Sequence, residues 1–281
     1  MGIWSLEKLA TLLLYFRAFT NACGKAGGGY YVDGMAGPGI CRLRGARPHP
    51  YLACGSPLLA LRTQPQFEHC SFLDIDRRKV EALRARVTSY AQRAGAYQGD
   101  VNSDLGRLIQ DQVPPLAPLF CFLDPQGVEL SFETISTVAR TPRRRRKPEL
   151  LVLFPLRMAL LRLLTLARPI GATTQERLHR AFAGPEWLEI YSARRKGEIT
   201  AKEAGTGYLN LYCDNFRALG YRWVRSKAIA APRAPGMRRQ EMYHLIFATD
   251  HAAGEDIMRD VFQRPYVLDF PVSGRLPLFE Q

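Results

Sequence analysis

The stretch Tyr30-Tyr31-Val32-Asp33-Gly34-Met35-Ala36-Gly37-Pro38-Gly39 decides the reading of the fold. Two aromatics and a valine, all good β-formers, run directly into a turn of glycines and a proline, the pattern of a strand that ends in a tight loop. Gly34, Gly37 and Gly39 carry no Cβ and tolerate positive φ, so the backbone there can come close to a ligand. Their G-x-x-G-x-G spacing is not the dinucleotide fingerprint G-x-G-x-x-G. Alone, the turn is also explained as a plain connection, and its meaning depends on what surrounds it.

Outward from the turn, strand and helix signals alternate. On the amino-terminal side, Ser5 is expected to cap a helix whose apolar positions Leu6, Leu9, Leu13 and Phe16 recur every three or four residues, before the glycine-rich stretch Gly24 to Gly29. On the other side, a basic loop from Cys41 to Tyr51 leads to Ser56-Pro57, read as an N-cap and first helical proline opening Leu58 to Arg62. Ser71-Phe72-Leu73 makes a short strand ending in Asp74-Ile75-Asp76, followed by helical spacing from Arg77 to Ala91. Ala96 to Gln98, Leu119 to Leu123 and Leu150 to Phe154 repeat the strand signal, with helices expected at Leu105 to Gln110, Ser131 to Ala139 and Leu156 to Ala167. Five strands alternating with helices predict an α/β fold: a Rossmann-like, doubly wound, mostly parallel sheet.

Beyond Thr173 the pattern turns helical to about Leu219, punctuated at Gly184-Pro185 and Gly205 to Gly207, which defines a helical accessory segment over 173–219. Tyr221 to Ile229 and Tyr243 to Thr249 then read as an antiparallel hairpin added to the sheet, and Glu255 to Phe262 as a last helix. The length of 281 residues fits one domain spanning 1–281 with that segment attached.

Composition narrows the class. Apolar residues are 47% and charged residues 23% of the chain, enough to bury a core and unlike a disordered protein. The formal charge of +13 favours an anionic partner. Candidate phosphate contacts are Arg42, Arg44 and Arg47 beside the glycine turn and the run Arg143, Arg144, Arg145, Arg146; a solvated surface is the alternative. Cys23, Cys41, Cys54, Cys70, Cys121 and Cys213 contain no C-x-x-C pair, which speaks against a zinc or dithiol site and for a reducing, cytoplasmic setting. The five histidines show no metal spacing. Leu9 to Phe16, bounded by Glu7, Lys8 and Arg17, is an amphipathic helix, neither a signal peptide nor a membrane span.

A doubly wound sheet binds ligands beyond the carboxyl ends of its strands. Asp33, Asp74 and Asp100 all stand at such ends. Asp33 is suited to an ammonium group, Asp74 to the two hydroxyls of a ribose and Asp100 to a base amine. Asp76 reads as the N-cap of the following helix. Asp124-Pro125-Gln126-Gly127 closes the fourth strand, at the edge where a second reactant would lie.

Several of these stretches together resemble the three-Cys-motif partner (TcmP) family of methyltransferase-like proteins: Trp4-Ser5-Leu6-Glu7-Lys8-Leu9, Tyr31 to Gly39, Gly55-Ser56-Pro57-Leu58-Leu59-Ala60-Leu61, Phe72 to Asp76, Phe122 to Pro125, Leu153-Phe154-Pro155 and Tyr243 to Thr249 with Ala253-Gly254 and Ile257-Met258. The resemblance implies a class I methyltransferase type of fold and S-adenosylmethionine as cofactor. Asp33, Gly34, Ala36, Gly37, Gly39, Asp74, Ile75 and Asp100 would hold it, and Asp124, Pro125 and Gln126 would form the acceptor edge. Enzymes that methylate exocyclic base amines commonly carry D/N-P-P-aromatic at that edge. Here Gln126 stands where the family usually has an aromatic residue, and its amide could hydrogen-bond a flipped base. The expected activity is methyl transfer to an anionic substrate, nucleic acid foremost. The alternative is a non-catalytic adaptor for a partner bearing three cysteines, similar to radical-type iron-sulfur proteins.

Overall fold

Strands form where apolar runs are continuous and helices where they recur at three to four residues, and the computed structural model describes residues 2, 4–43, 52–141, 146–167, 169–231 and 240–264. The strands are β1 (Tyr30–Asp33), β2 (Ile40–Arg42), β3 (Leu52–Cys54), β4 (His69–Asp74), β5 (Ala94–Gln98), β6 (Leu119–Leu123), β7 (Glu149–Phe154), β8 (Trp223–Ala231) and β9 (Gln240–Thr249). The helices are α1 (Ser5–Cys23), α2 (Ser56–Arg62), α3 (Arg77–Val87), α4 (Val101–Gln112), α5 (Phe132–Ala139), α6 (Leu161–Leu163), α7 (Ala172–Phe182), α8 (Trp187–Lys196), α9 (Ala201–Ala218) and α10 (Ala252–Gln263).

Seven strands make one sheet in the order β5-β4-β1-β6-β7-β9-β8. The first five are parallel, and β9 runs antiparallel to both β7 and β8. The chain winds from β1 outward through β4 to β5, then returns to β6 on the other side of β1. The reversal between β1 and β6 is where a doubly wound, Rossmann-like sheet opens a crevice.

Alternation along β1 sends Tyr31 and Asp33 to one face and Val32 to the other. Tyr31 joins the core of Phe16, Phe67, Phe72 and Phe120 beneath α1, α2, α3 and α10. Its ring stacks on Phe120 with centroids 6.0 Å apart. Val32, Cys121 and Leu123 join the opposite core, which continues through α4 and α5 into the accessory helices α7, α8 and α9. Helices on both faces explain why β6 and β7 read as unbroken apolar runs. Among the described residues, no helix is long and apolar enough to cross a membrane.

Several local expectations need correction. Ser5 is the first residue of α1 rather than its cap, and Trp4 at the cap makes no side-chain bond. Ser56 likewise lies inside α2, with Gly55 as the cap. The region expected as a basic loop from Cys41 begins in β2, which pairs antiparallel with β3 from Ile40 opposite Cys54 to Arg42 opposite Leu52; residues 44–51 lie outside the described residues. The helix expected over Leu156 to Ala167 is reduced to one π turn, Leu156–Leu160, and the short α6. That wide turn closes the Leu160 N–H onto the Pro155 carbonyl at 3.1 Å. Gly205 and Gly207 do not break the chain but lie within α9. A Cβ on Gly207 would meet Ile190 at 3.3 Å, so the glycine allows α8 and α9 to approach closely. Arg44, Arg47, His49, Arg143, Arg144 and Arg145 lie outside the described residues.

Candidate functional site

Parallel neighbours bring their carboxyl ends to one rim. Asp33 pairs in register with Phe72 and Phe122, so Asp74 and Asp124, each two residues farther on, flank it on β4 and at the end of β6. Asp74 pairs with Gln98, which places Asp100 just beyond the end of β5. The four acids thus gather at the rim where the strand order reverses.

The glycine turn is tied to both neighbouring strands, through Gly34 N–H to the Phe122 carbonyl (3.0 Å) and Ala36 N–H to the Leu73 carbonyl (2.9 Å). Its glycines differ in purpose. A Cβ on Gly34 would meet Leu123 at 2.6 Å, so that glycine serves packing, whereas Gly39 combines a left-handed φ of +81° with a close approach to Leu83, 2.8 Å from where a Cβ would stand. Gly37 has φ +65°, and a Cβ there would meet nothing within 4 Å. Its backbone faces open space in a conformation that favours glycine.

Asp74 fixes this bare backbone. One carboxyl oxygen accepts from Gly37 N–H at 2.8 Å and the other from Asp76 N–H at 2.9 Å, with Lys79 Nζ 3.6 Å away. Between the two acids Ile75 turns outward, its apolar side chain 65% exposed. Asp76 caps α3 by accepting from the Arg78 and Lys79 amides, as its position after the strand implies. Asp100 caps α4 through Asn102 N–H at 2.8 Å.

Asp33 is wholly buried. Tyr31, two residues back on the same strand and hence on the same face, donates its hydroxyl at 3.0 Å, and Met35 N–H donates at 3.2 Å. Burial nevertheless pushes the carboxyl up to about 7, opposed by bonds from Ser56, Tyr31 and Met35 and reinforced by the nearby Asp124. A cation placed beside Asp33 would favour its ionised form.

Asp124 is engaged by Lys8 of α1, whose Nζ pairs with Oδ2 and lies 5.8 Å from the centre of the Phe122 ring. Pro125 is buried and Gln126 exposed, with Gln126 N–H bonded to Glu129 at 2.6 Å. Asn102 then staples α4 to the following loop: it donates to the Glu129 carbonyl at 2.9 Å and accepts from Ser131 N–H at 2.9 Å. Cys41 on β2 faces the same rim; burial raises its thiol, with Lys8 acting downward and Asp124 and Asp33 upward.

Lys8 is the residue of this site that sequence reasoning did not assign. It lies 116 positions from Asp124, and no local spacing links the two. In the sequence Ser56 reads only as a helix cap, and Asn102, outside the helix expected at Leu105 to Gln110, carries no reading. Of the described arginines, Arg42 ends β2 near the glycine turn, whereas Arg146 precedes β7 at the far end of the sheet. Among the described residues, no group of three or more His, Cys, Asp and Glu side chains is placed to hold a metal ion.

No family model matches this chain, and a search of curated proteins finds no match. Among solved structures it is similar to protein LPL1258 from Legionella pneumophila, at 11% identity over 90% of each chain with a TM-score of 0.50. It also resembles an O-methyltransferase from Bacillus cereus in complex with SAH, at 10% identity over 88% of this chain and 81% of that one, with a TM-score of 0.43. At such identities the likeness is one of fold.

Proposed function

We propose that the chain binds S-adenosylmethionine at the glycine turn and transfers its methyl group to a nucleophile on an anionic substrate, nucleic acid foremost. The observation that carries this reading is Gly37: a backbone without a side chain, in the left-handed region, facing open space and anchored to an acid at the neighbouring strand end. The fold supports it, since crevices of doubly wound sheets form at this reversal.

The residues present fit the group. Gly37 would let the methionine portion approach, Gly39 in its left-handed conformation would turn the backbone beside it, and Asp33 would face its ammonium. Asp74 keeps lone pairs beyond its two amide bonds for ribose hydroxyls. Ile75 offers an apolar wall to an adenine face, and Asp100 an acceptor for its amine. Gly34 and Ala36 shape the turn from behind. When bound, S-adenosylmethionine supplies a methyl made electrophilic by its sulfonium. The protein must then align an acceptor and exclude water. Lys8 holds one oxygen of Asp124, leaving the other to orient the acceptor and take its proton; Pro125 fixes the strand end, and the Gln126 amide offers hydrogen bonds to a polar acceptor. Arg42 stands near enough to the turn to meet substrate phosphate. All six cysteines are free thiols, as suits the cytoplasm.

A second reading is favoured by the Lys8–Asp124 pair and by Gln126 in place of an aromatic residue. The acceptor edge is then filled by the protein itself, and the chain is an adaptor for a three-cysteine partner, in keeping with its resemblance to the TcmP family. Calorimetric titration with S-adenosylmethionine and its demethylated product tests the main reading, which fails if neither binds at millimolar concentrations. Binding without methyl transfer to any nucleic-acid pool would favour the adaptor.

A further inference from the structure

At the opposite rim, where β7 begins and β9 ends, a cleft of about 610 Å³ opens between the end of α5 and the start of α10. Arg140, Thr141, Arg146, Lys147, Asp250 and His251 line it. The six residues of β7, at roughly 3.3 Å each, set this cleft about 20 Å from the rim that carries Asp33.

Its charges are unevenly used. Each oxygen of Asp250 has a partner: one accepts from Lys147 Nζ at 2.9 Å, the other from Arg222 N–H at 2.9 Å. Lys147 is further pinned by the Gly220 carbonyl at 3.2 Å. These two therefore form a fixed floor of cancelling charge. Arg140 and Arg146 are exposed, and neither makes an ion pair among the described residues. Ala252, the small first residue of α10, completes the wall, and no side chain caps that helix.

We propose that this cleft binds a phosphate-bearing ligand, with Arg140 and Arg146 as the two arms that close on the oxyanion. Guanidinium forks match phosphate oxygens two at a time, and a cleft of this size accepts more than a single ion. The phosphate can belong to a small diphosphate or to a nucleic-acid backbone.

Calorimetry at low salt with pyrophosphate, and fluorescence anisotropy with a short single-stranded oligonucleotide, test the site on the full chain. Arg140→Gln combined with Arg146→Gln should weaken whichever probe binds by about tenfold or more, the loss of roughly two charge-assisted contacts. A control pair, Arg107→Gln with Arg180→Gln, removes the same charge from exposed residues whose partners are Asp111 and Glu176, and should change binding less than about twofold. If the oligonucleotide is the ligand, the double variant should also flatten the plot of log affinity against log salt by about 1.4, two contacts at roughly 0.7 each. Tight pyrophosphate with no oligonucleotide binding assigns the site to small phosphates. Equal weakening by both pairs, or no binding of either probe up to about 10 mM, overturns the proposal. Binding of S-adenosylmethionine should be the same in both pairs, so the fate of the far rim does not depend on that of the glycine turn.

Discussion

Two buried acids, one at each rim of the sheet, share much of their chemistry and differ in the glycine that follows or faces them. Asp33 and Glu149 are each pushed up by burial to about 7, and each accepts a tyrosine hydroxyl, from Tyr31 at 3.0 Å and from Tyr15 at 2.5 Å. In the turn that follows Asp33 stands Gly37, tied to Asp74 rather than to Asp33, and its missing side chain leaves open space. Beside Glu149 stands Gly254, where a Cβ would run into the Glu149 carboxyl itself. Thr249 adds a second hydroxyl to Glu149 at 3.0 Å, completing a closed cluster. A raised acid therefore does not mark a ligand site by itself. What separates the two rims is whether the adjoining glycine keeps room for a guest or for the acid.

The largest effect is expected from filling the two glycines in turn. Gly37→Val puts a branched side chain into the open space and into a left-handed conformation it resists, so affinity for S-adenosylmethionine should fall at least about 100-fold, equivalent to ~2.7 kcal/mol. Gly254→Ala should instead cost stability, about 1–3 kcal/mol of overpacking, and lower Tm by ~2–4 °C for each kcal/mol while leaving affinity unchanged. Calorimetry and thermal melts on both variants read this directly. A Gly37→Val protein that binds normally would erase the distinction between the rims.

Next in size is Asp74→Ala, which should weaken both S-adenosylmethionine and its demethylated product by about 1–3 kcal/mol through loss of charge-assisted bonds. Equal affinity for wild type and variant would remove Asp74 from the ribose role.

The acids can also be told apart by protons. Both carboxyls ionise near 4 in the unfolded chain and near 7 in the folded one, so between those values the folded state holds more protons. Stability should accordingly fall as pH rises from about 4 to about 7 and then level off. Glu149→Gln and Asp33→Asn should each flatten part of that slope. If the ammonium of S-adenosylmethionine sits beside Asp33, as proposed, binding at pH 6 should release protons from wild type and from Glu149→Gln but not from Asp33→Asn. Titrations in buffers of different ionisation heat measure the release, and none from wild type would mean that the cation does not approach Asp33.

The same contrast explains which features were readable along the chain. The rim with the glycine turn was legible because its elements are local: β6 and β7 are continuous apolar runs, Asp76 follows its strand as a cap, and the glycines sit where the strand ends. Unread features come from contacts between distant segments. Lys8 reaches Asp124 across 116 positions, and Ser56 of α2 supplies one of the bonds that offset the burial of Asp33. The three-residue strands β2 and β3 are too short to show alternation. Gly205 and Gly207 looked like breaks because glycine weakens a helix, yet packing between α8 and α9 outweighs that preference.

The smallest effect separates ligand contact from fold most cleanly. Ile75 is 65% exposed and packs little of its surface, so Ile75→Ser should change stability by no more than about 0.5 kcal/mol. An exposed isoleucine between Asp74, the acid proposed for the ribose, and the helix cap Asp76 has no structural task to explain it. If its side chain covers an adenine face, the substitution should weaken S-adenosylmethionine and free adenosine by a similar factor, about fivefold for roughly 1 kcal/mol of apolar contact. Methionine, which lacks the base, should bind the variant as it binds wild type. Loss of methionine affinity along with adenosine would mean that Ile75 shapes the turn instead, and the open space at Gly37 would then have to be assigned to another part of the ligand.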